Sequence, residues 1–185
     1  MPRTVLVEGV SDRVALTTLA HRRGEALDDV DVVALGGITN IRAVAVSLGP
    51  RGAGHHLCGL YDSPAVGIVR EGLHQAGLPV ERAGLRELGF FGCVLDLEDE
   101  LVRAVGVDGV EAVIDAEGEG RSLRLLAGMP AQRGWTREAV VRRFLTSQAG
   151  RKARYARALT EALDPHRAPG PMEDLLDHLR EQAGT

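Results

Sequence analysis

The chain has 185 residues, a formal net charge of −4, and 44% hydrophobic and 26% charged residues. This balance is typical of a soluble globular protein with one domain, or one domain and a helical appendage. Aromatic residues make up only 3% of the chain, which argues against a surface that stacks nucleobases on aromatic rings. We find no apolar run near the roughly 18 residues of a membrane span and no signal-peptide pattern, so we expect a cytoplasmic protein.

The first half of the chain alternates predicted strands and helices. An apolar, β-branched run at Thr4–Val7 lacks polar alternation, which is typical of a strand covered on both faces. Ser11 is the predicted N-cap of the helix that follows. The other predicted strands are Val30–Leu35, Leu57–Tyr61 and Phe90–Leu95. The predicted helices are Ser11–Arg23, Thr39–Leu48, one opened by Ser63-Pro64, and one from Leu97. This alternation predicts a parallel sheet with helices on both faces.

The second half contains only helical patterns. We therefore predict an α/β core over residues 1–106 and a helical extension over residues 107–185 that packs on the core. The predicted helices of the extension are Val110–Glu117, Ser122–Leu126, Arg137–Thr146, Arg151–Leu163 and Met172–Gln182.

Acidic residues follow the predicted strands. The strand ends carry Glu8, Asp62 and Asp96, and Asp12 and Glu98 follow within about a turn. Parallel strands bring their carboxyl ends to one edge of the sheet, where crowded carboxylates raise each other's pKa unless a cation lies among them. Such oxygen ligands suit Mg²⁺ or Mn²⁺. The simpler alternative is that the acids only cap helices, which explains Asp12 and Asp99 better than Glu8.

Basic residues concentrate between Arg133 and Arg157, where Glu138 is the only acid. This segment predicts a surface for phosphate groups, and a solvated helix face is the alternative. Lys152 is the only lysine beside 21 arginines. Its ammonium could neutralise charge at a scissile phosphate or transfer a proton. The alternative is that a single lysine remains at this position by chance. The candidate contacts to the DNA backbone are Arg142, Arg143, Arg151, Arg154 and Arg157.

Several of these segments together resemble one family. Glu8-Gly9-Val10-Ser11-Asp12 resembles the first motif of the Toprim domain, and its second acid is most similar to the version in nucleases of the OLD (overcoming lysogenisation defect) family. Four further segments are similar to elements of that family: Gly36-Gly37 with Asn40, Asp62 as the first acid of a DxD motif, Leu95-Asp96-Leu97-Glu98-Asp99, and Gly150-Arg151-Lys152.

The resemblance implies a Toprim-like fold and a metal-dependent DNA endonuclease or nickase that uses one or two Mg²⁺ or Mn²⁺ ions. Glu8 and Lys152 would be catalytic. The implied metal ligands are Glu8, Asp12, Asp62 and Glu98, with Asp96 and Asp99 as further candidates near the metal. DNA is the implied partner, and a homodimer is a further expectation. The resemblance also implies an ATPase, because OLD nucleases carry an ATPase domain before the Toprim domain. Since this sequence has no GxxxxGK[ST] motif, we expect any such ATPase to be a separate protein.

One departure from the family pattern bears on whether the domain is catalytic, and a second alternative is independent of it. Pro64 stands where the DxD motif has its second acid, and family members use that pair to hold the metal. The chain could therefore be a catalytically degenerate Toprim domain that binds DNA or docks on a partner. A primase-like nucleotidyl transferase is the other alternative, although such an enzyme needs additional domains.

Overall fold

The computed structural model describes residues 1–25, 27–148 and 150–183. These residues form four strands and nine α-helices, together with short 3₁₀ helices at Ile38–Asn40, Ser63–Ala65 and Pro130–Gln132. The strands are β1 (Arg3–Val7), β2 (Val30–Ala34), β3 (His56–Asp62) and β4 (Phe90–Cys93). The helices are α1 (Val10–Arg22), α2 (Ile41–Leu48), α3 (Val66–Gln75), α4 (Leu97–Val105), α5 (Val107–Ala116), α6 (Gly120–Ala127), α7 (Arg137–Leu145), α8 (Arg151–Ala162) and α9 (Gly170–Ala183). None of these helices is both long and apolar enough to cross a bilayer.

The strands form one sheet in the order β2-β1-β3-β4, and every neighbouring pair is parallel. In the register of this sheet, Val5 lies opposite Val32 on one side and Cys58 on the other. The predicted four-stranded parallel sheet is therefore confirmed. Its carboxyl ends meet at one edge, as the argument about the acidic residues requires.

Both faces of the sheet are covered by helices. Val5 and Val7 belong to a core that includes residues of α1 and of α4 to α9, whereas Leu6 belongs to a second core with residues of α2 and α3. All three side chains are at most 1% exposed. Burying each of them contributes about 1.5–3 kcal/mol. This two-sided burial explains why the first strand shows no polar alternation.

The helices of the second half pack back onto the sheet and its helices. Helix α8 lies along α1, and α9 contacts β3 and β4. Two arginines bond to backbone carbonyls there: Arg22 Nη1 donates to the oxygen of Leu163 (2.6 Å), and Arg3 Nη1 donates to that of Leu179 (2.8 Å). The packing agrees with a helical extension on the core. The division at residue 106 stays a prediction, and residues 149, 184 and 185 of the extension lie outside the described residues.

The fourth strand is shorter than predicted. It ends at Cys93, and Val94 and Leu95 are 59% and 51% exposed. Asp96 therefore does not end a strand. It is the N-cap of α4, and its Oδ1 accepts a hydrogen bond from the backbone N–H of Asp99 (2.7 Å).

The first helix begins earlier than predicted, because its N-cap is Gly9 rather than Ser11. The side chain of Asp12 explains the difference. Its Oδ2 accepts a hydrogen bond from the backbone N–H of Gly9 (2.8 Å), so that this carboxylate satisfies a donor at the start of the helix.

Gly59 provides a test of the strand packing. A Cβ added at this position of β3 would collide with the backbone carbonyl oxygen of Leu6 in β1. We expect Gly59→Ala to lower the free energy of unfolding by at least about 2 kcal/mol, measured by urea denaturation. Gly67→Ala is the control, because a Cβ at Gly67 in α3 meets no atom within 4 Å. A Gly59→Ala protein as stable as the Gly67→Ala protein would contradict this packing.

Candidate active site

The carboxyl edge of the sheet contains a cavity of about 440 Å³, which we call the acidic cavity. The loops after β1 and β2, the last residue of β3 and the first turns of α1, α4 and α8 line it. Its charged lining residues are Glu8, Asp12, Asp62, Glu98 and Lys152. The structure therefore brings together all four predicted metal ligands and the predicted catalytic lysine, which come from widely separated parts of the chain.

A glycine turn forms one wall of the acidic cavity. Gly36 and Gly37 follow β2 with φ of 71° and 121°, a backbone region that strongly favours glycine. The backbone N–H of Gly37 donates a hydrogen bond to the carbonyl oxygen of Glu8 (3.1 Å). This bond joins the end of β1 to the turn after β2, and it fixes the backbone from which the Glu8 side chain extends.

Asp62 is the last residue of β3 and is partly buried. Burial, and to a lesser extent nearby negative charges, raise the pKa of Asp62 from 3.8 to about 7. In decreasing order of effect, these charges belong to Glu8, Asp12, Asp96 and Glu98. A carboxyl group with this pKa is unfavourable to ionise without a compensating cation.

Asp12 shows the same effect. The pKa of Asp12 is raised from 3.8 to about 6, mainly by burial and also by the charges of Glu98 and Glu8. The hydrogen bond from Gly9 and the charge of Lys152 oppose it. Two carboxyl groups of the acidic cavity therefore have pKa values close to neutral pH.

Lys152 contributes the positive charge of the acidic cavity. Its Nζ lies 3.1 Å from Oε1 of Glu98, which is 9% exposed. Burial alone would lower the pKa of Lys152, but the negative charges of Glu98, Asp96 and Asp12 outweigh burial and raise it. Lys152 is therefore a permanent cation at neutral pH, which favours a role in charge neutralisation over proton transfer.

Two long helices begin at the acidic cavity. The first turn of α1 lines it, and so do Gly150, Lys152 and Ala153 at the start of α8. Gly150 has a φ of 79°, a left-handed conformation that glycine adopts without strain. Helix N-termini carry partial positive charge and free N–H groups, so this end of the cavity can accept an anion such as a phosphate.

Asp99 lies away from the acidic cavity. It is 4% exposed, and its carboxylate pairs with Arg103 Nε (3.0 Å) and with Arg142. Asp96 does not line the acidic cavity either. Its carboxylate caps α4 instead. Asp99 therefore forms ion pairs rather than the helix cap that the sequence offered as the simpler alternative, and Asp96 is the residue that caps α4. We therefore withdraw Asp99 as a metal ligand and keep Asp96 only as a nearby charge.

Arg151 is buried rather than available to DNA. Its guanidinium lies 4.0 Å from the ring centroid of Phe144 and donates to Oε1 of Glu119 (2.8 Å). Hydrogen bonds, the strongest of them from Arg151, lower the pKa of Glu119. The residue is 7% exposed. It holds α8 against α7 and the start of α6, and we withdraw it as a backbone contact.

Ion pairs also engage Arg142 and Arg154. Arg142 pairs with Asp99 and with Glu138 (2.8 Å), and Arg154 pairs with Glu119. Acidic residues are concentrated between Asp96 and Glu119, where Arg103 is the only base. This acid-rich segment and the base-rich segment Arg133–Arg157 therefore neutralise each other in large part, which the sequence did not reveal. Among the predicted DNA contacts, Arg143 and Arg157 are exposed and form no ion pair within residues 1–25, 27–148 and 150–183.

The donor set of the acidic cavity fits a hard divalent cation in its chemistry. Its members are carboxylates whose mutual repulsion a cation would relieve. In the described part of the chain, however, no three Asp, Glu, His or Cys side chains converge closely enough to hold an ion. Metal binding would therefore require the carboxylates to rotate towards one another.

The four-stranded parallel sheet and the helices around it form an α/β fold that is Toprim-like. Solved structures with a similar fold include the C-terminal regions of two OLD proteins. That of Xanthomonas campestris pv. campestris is 23% identical, with 99% of this chain and 94% of that chain covered and a TM-score of 0.73. That of Burkholderia pseudomallei is 22% identical, with 98% of each chain covered and a TM-score of 0.69. The predicted fold is thereby confirmed.

No protein-family model matches the chain, and no curated protein is similar enough to match it. At the identities of the two OLD proteins, the structural likeness shows the fold alone. The chemistry of the acidic cavity therefore has to be argued from its own residues.

Asp62 gives a pH-dependent test of the acidic cavity. Because its pKa is 3.8 when unfolded and about 7 when folded, its contribution to stability falls as the pH rises between these values. Without divalent ions, Asp62→Asn should therefore be more stable than the wild type at about pH 8. At about pH 5 the gain in the free energy of unfolding over the wild type should be smaller. Allowing for solvent screening of this partly exposed group, we expect a difference on the order of 1 kcal/mol between the two gains.

Urea denaturation in the presence of a chelator measures these stabilities. Asp31→Asn is the matched control, because Asp31 is an exposed residue of β2 outside the acidic cavity. The raised pKa of Asp62 is refuted if Asp62→Asn and Asp31→Asn change stability equally at both pH values.

Proposed function

We propose that the chain is a metal-dependent nuclease that hydrolyses phosphodiester bonds in DNA, as an endonuclease or nickase. The observation that carries the proposal is the acidic cavity, in which Glu8, Asp12 and Asp62 lie with the Glu98–Lys152 ion pair. The fold shared with the OLD proteins and the resemblance of the Glu8–Asp12 motif to OLD nucleases support it.

Glu8, Asp12, Asp62 and Glu98 would hold one or two Mg²⁺ or Mn²⁺ ions. When bound, such ions would polarise the phosphate and lower the pKa of a water molecule. The raised pKa values of Asp12 and Asp62 mean that both groups gain from a nearby cation. The hydrogen bond from Gly9 N–H to Oδ2 of Asp12 orients that carboxylate.

Lys152 would stabilise negative charge on the phosphate. Its pKa is raised, so it stays protonated throughout the neutral range. In the structure its ammonium pairs with Glu98, which keeps the lysine at the cavity before a substrate arrives. The N-terminal N–H groups of α8, beside Lys152, are further donors for phosphate oxygens.

A DNA-binding or partner-docking module without catalysis is the second candidate. Two observations favour it: Pro64 stands where the motif has its second acid, and no three ligand side chains converge among the described residues. A cleavage assay separates this candidate from the nuclease.

Glu8→Gln tests the nuclease directly. Supercoiled plasmid is incubated with the protein and Mg²⁺ or Mn²⁺, with a chelator as the metal-free control, and the nicked and linear forms are quantified. We expect divalent-ion-dependent nicking by the wild type and at least about a hundredfold loss in Glu8→Gln, because a neutral amide is a poor ligand for these ions.

Glu87→Gln is the matched control. Glu87 is exposed and precedes the amino end of β4, at the edge of the sheet opposite the acidic cavity, so this variant should nick as the wild type does. If no divalent ion supports nicking, or if Glu8→Gln nicks as fast as Glu87→Gln, the chain is not this nuclease.

The exposed arginines of α7 and α8 give a test for DNA binding. Arg143→Glu combined with Arg157→Glu should weaken binding to duplex DNA and reduce the slope of log affinity against log salt by about 0.9 for each lost phosphate contact. Fluorescence anisotropy of a labelled duplex measures both quantities. Arg42→Glu combined with Arg82→Glu makes the same charge change at exposed positions elsewhere. Equal losses of DNA affinity in the two double variants would show that only the net charge of the protein matters, and would contradict a binding surface at Arg143 and Arg157.

A further inference from the structure

The Glu98–Lys152 ion pair joins two groups to which the proposed function gives different partners. Glu98 would hold a divalent cation, whereas Lys152 would neutralise charge on a phosphate. In the structure the two groups pair with each other, because Nζ of Lys152 lies 3.1 Å from Oε1 of Glu98. This oxygen and the ammonium are therefore not free for their proposed partners until the pair opens.

Glu98 is the fixed member of the pair. It lies in the first turn of α4, which Asp96 caps, and its neighbours Leu97 and Leu101 are buried in the core. Oε1 of Glu98 has almost no accessible surface, and the described residues donate no well-aligned hydrogen bond to it. The ammonium lies against this oxygen, so a cation reaches it only after Lys152 has moved. A buried carboxylate oxygen without a well-aligned donor is unfavourable, and a directly bound cation would stabilise it better.

Lys152 is the member of the pair that can move. Its side chain is 50% exposed, whereas the preceding residue, Arg151, is buried and donates to Oε1 of Glu119 (2.8 Å). The first turn of α8 therefore stays in place while the flexible lysine stem rotates. Ion pairs with so exposed a partner contribute little to stability. Opening the pair thus requires no unfolding of either helix.

The charge of the acidic cavity links the pair to cation binding. Among the described residues that line this cavity, Lys152 is the only base, and its ammonium compensates the carboxylates there. A divalent ion among these carboxylates would repel the ammonium, because like charges a few ångströms apart destabilise each other. The same ion would compensate Glu98 in place of the lysine. Binding of the ion and release of the lysine therefore favour each other.

We propose that the Glu98–Lys152 pair is an exchangeable ion pair: Glu98 exchanges the ammonium for a divalent cation, and Lys152 then pairs with a phosphate group of the DNA. The cation and the phosphate therefore bind with positive cooperativity. By linkage, the phosphate strengthens the binding of the cation by the same factor. This inference rests on the proposed function, since it takes Glu98 as a metal ligand.

NMR relaxation of Lys152 tests the exchange without any measurement of activity. Lys152 is the only lysine of the chain, so ¹³C-lysine labelling gives one Cε signal, whose relaxation reports ps–ns mobility. Without Mg²⁺, we expect a rigid Cε in the wild type and in Glu8→Gln, which keeps the pair, and a mobile Cε in Glu98→Gln. Saturating Mg²⁺ should make the wild-type Cε as mobile as in Glu98→Gln. Thymidine 3′,5′-bisphosphate, a phosphate probe without a phosphodiester bond, should then make it rigid again.

The affinity for this bisphosphate without divalent ions, measured by calorimetry, is a second test. Glu98→Gln and Glu8→Gln remove the same charge from the acidic cavity, but only Glu98→Gln releases Lys152. We expect the probe to bind Glu98→Gln about two- to tenfold tighter than Glu8→Gln, the range for one added polar contact. Adding Lys152→Met to both variants should remove this difference.

Two results would overturn the exchange alone. The first is a Lys152 Cε that stays rigid at Mg²⁺ concentrations that shift the carboxyl-carbon NMR signals of Asp12 and Asp62, because the cation would then bind with the pair intact. The second is a Glu98→Gln protein that binds the bisphosphate no tighter than Glu8→Gln. If Mg²⁺ changes neither the carboxyl-carbon signals nor the Lys152 signal, the proposed metal site fails, and the exchange fails with it.

Discussion

Repulsion among the carboxylates at the carboxyl edge of the sheet is the constraint on which the candidate active site depends. Parallel pairing of β1 and β3 forces Glu8 and Asp62 to the same edge, and the two buried cores on either face hold these strands in place. Burial, and after it this repulsion, raise the pKa of Asp62 to about 7, because the fold does not separate the acidic groups. The unfavourable ionisation of these carboxylates favours the binding of a cation, because a metal ion among them would stabilise their charged forms.

Ion pairs between the acidic residues of 96–119 and the basic residues of 133–157 decide which charges remain available. Arg151 is buried against Glu119, and Arg142 is held by Asp99, so these arginines position helices. The Glu98–Lys152 pair belongs to the same set of contacts between acid-rich and base-rich segments, but it lies in the acidic cavity. The pairing that packs the helical extension thereby also brings Lys152 to the carboxylates.

The sequence predicted the sheet, its strand directions and the main members of the acidic cavity, because buried parallel strands and strand-end acids are local signals. It could not predict the end of β4, since Val94 and Leu95 are apolar yet exposed. It also misjudged Arg151, because burial depends on Phe144 and Glu119, which the fold brings together.

A carboxyl-carbon NMR titration of Asp12 and Asp62, without and with Mg²⁺, tests the central claim most directly. Without metal, the account predicts pKa values of about 6 for Asp12 and about 7 for Asp62. Saturating Mg²⁺ should lower both, because a cation favours the ionised carboxylates. A metal-free Asp62 that titrates near 3.8, or pKa values that Mg²⁺ leaves unchanged, would contradict a carboxylate edge built to hold a cation.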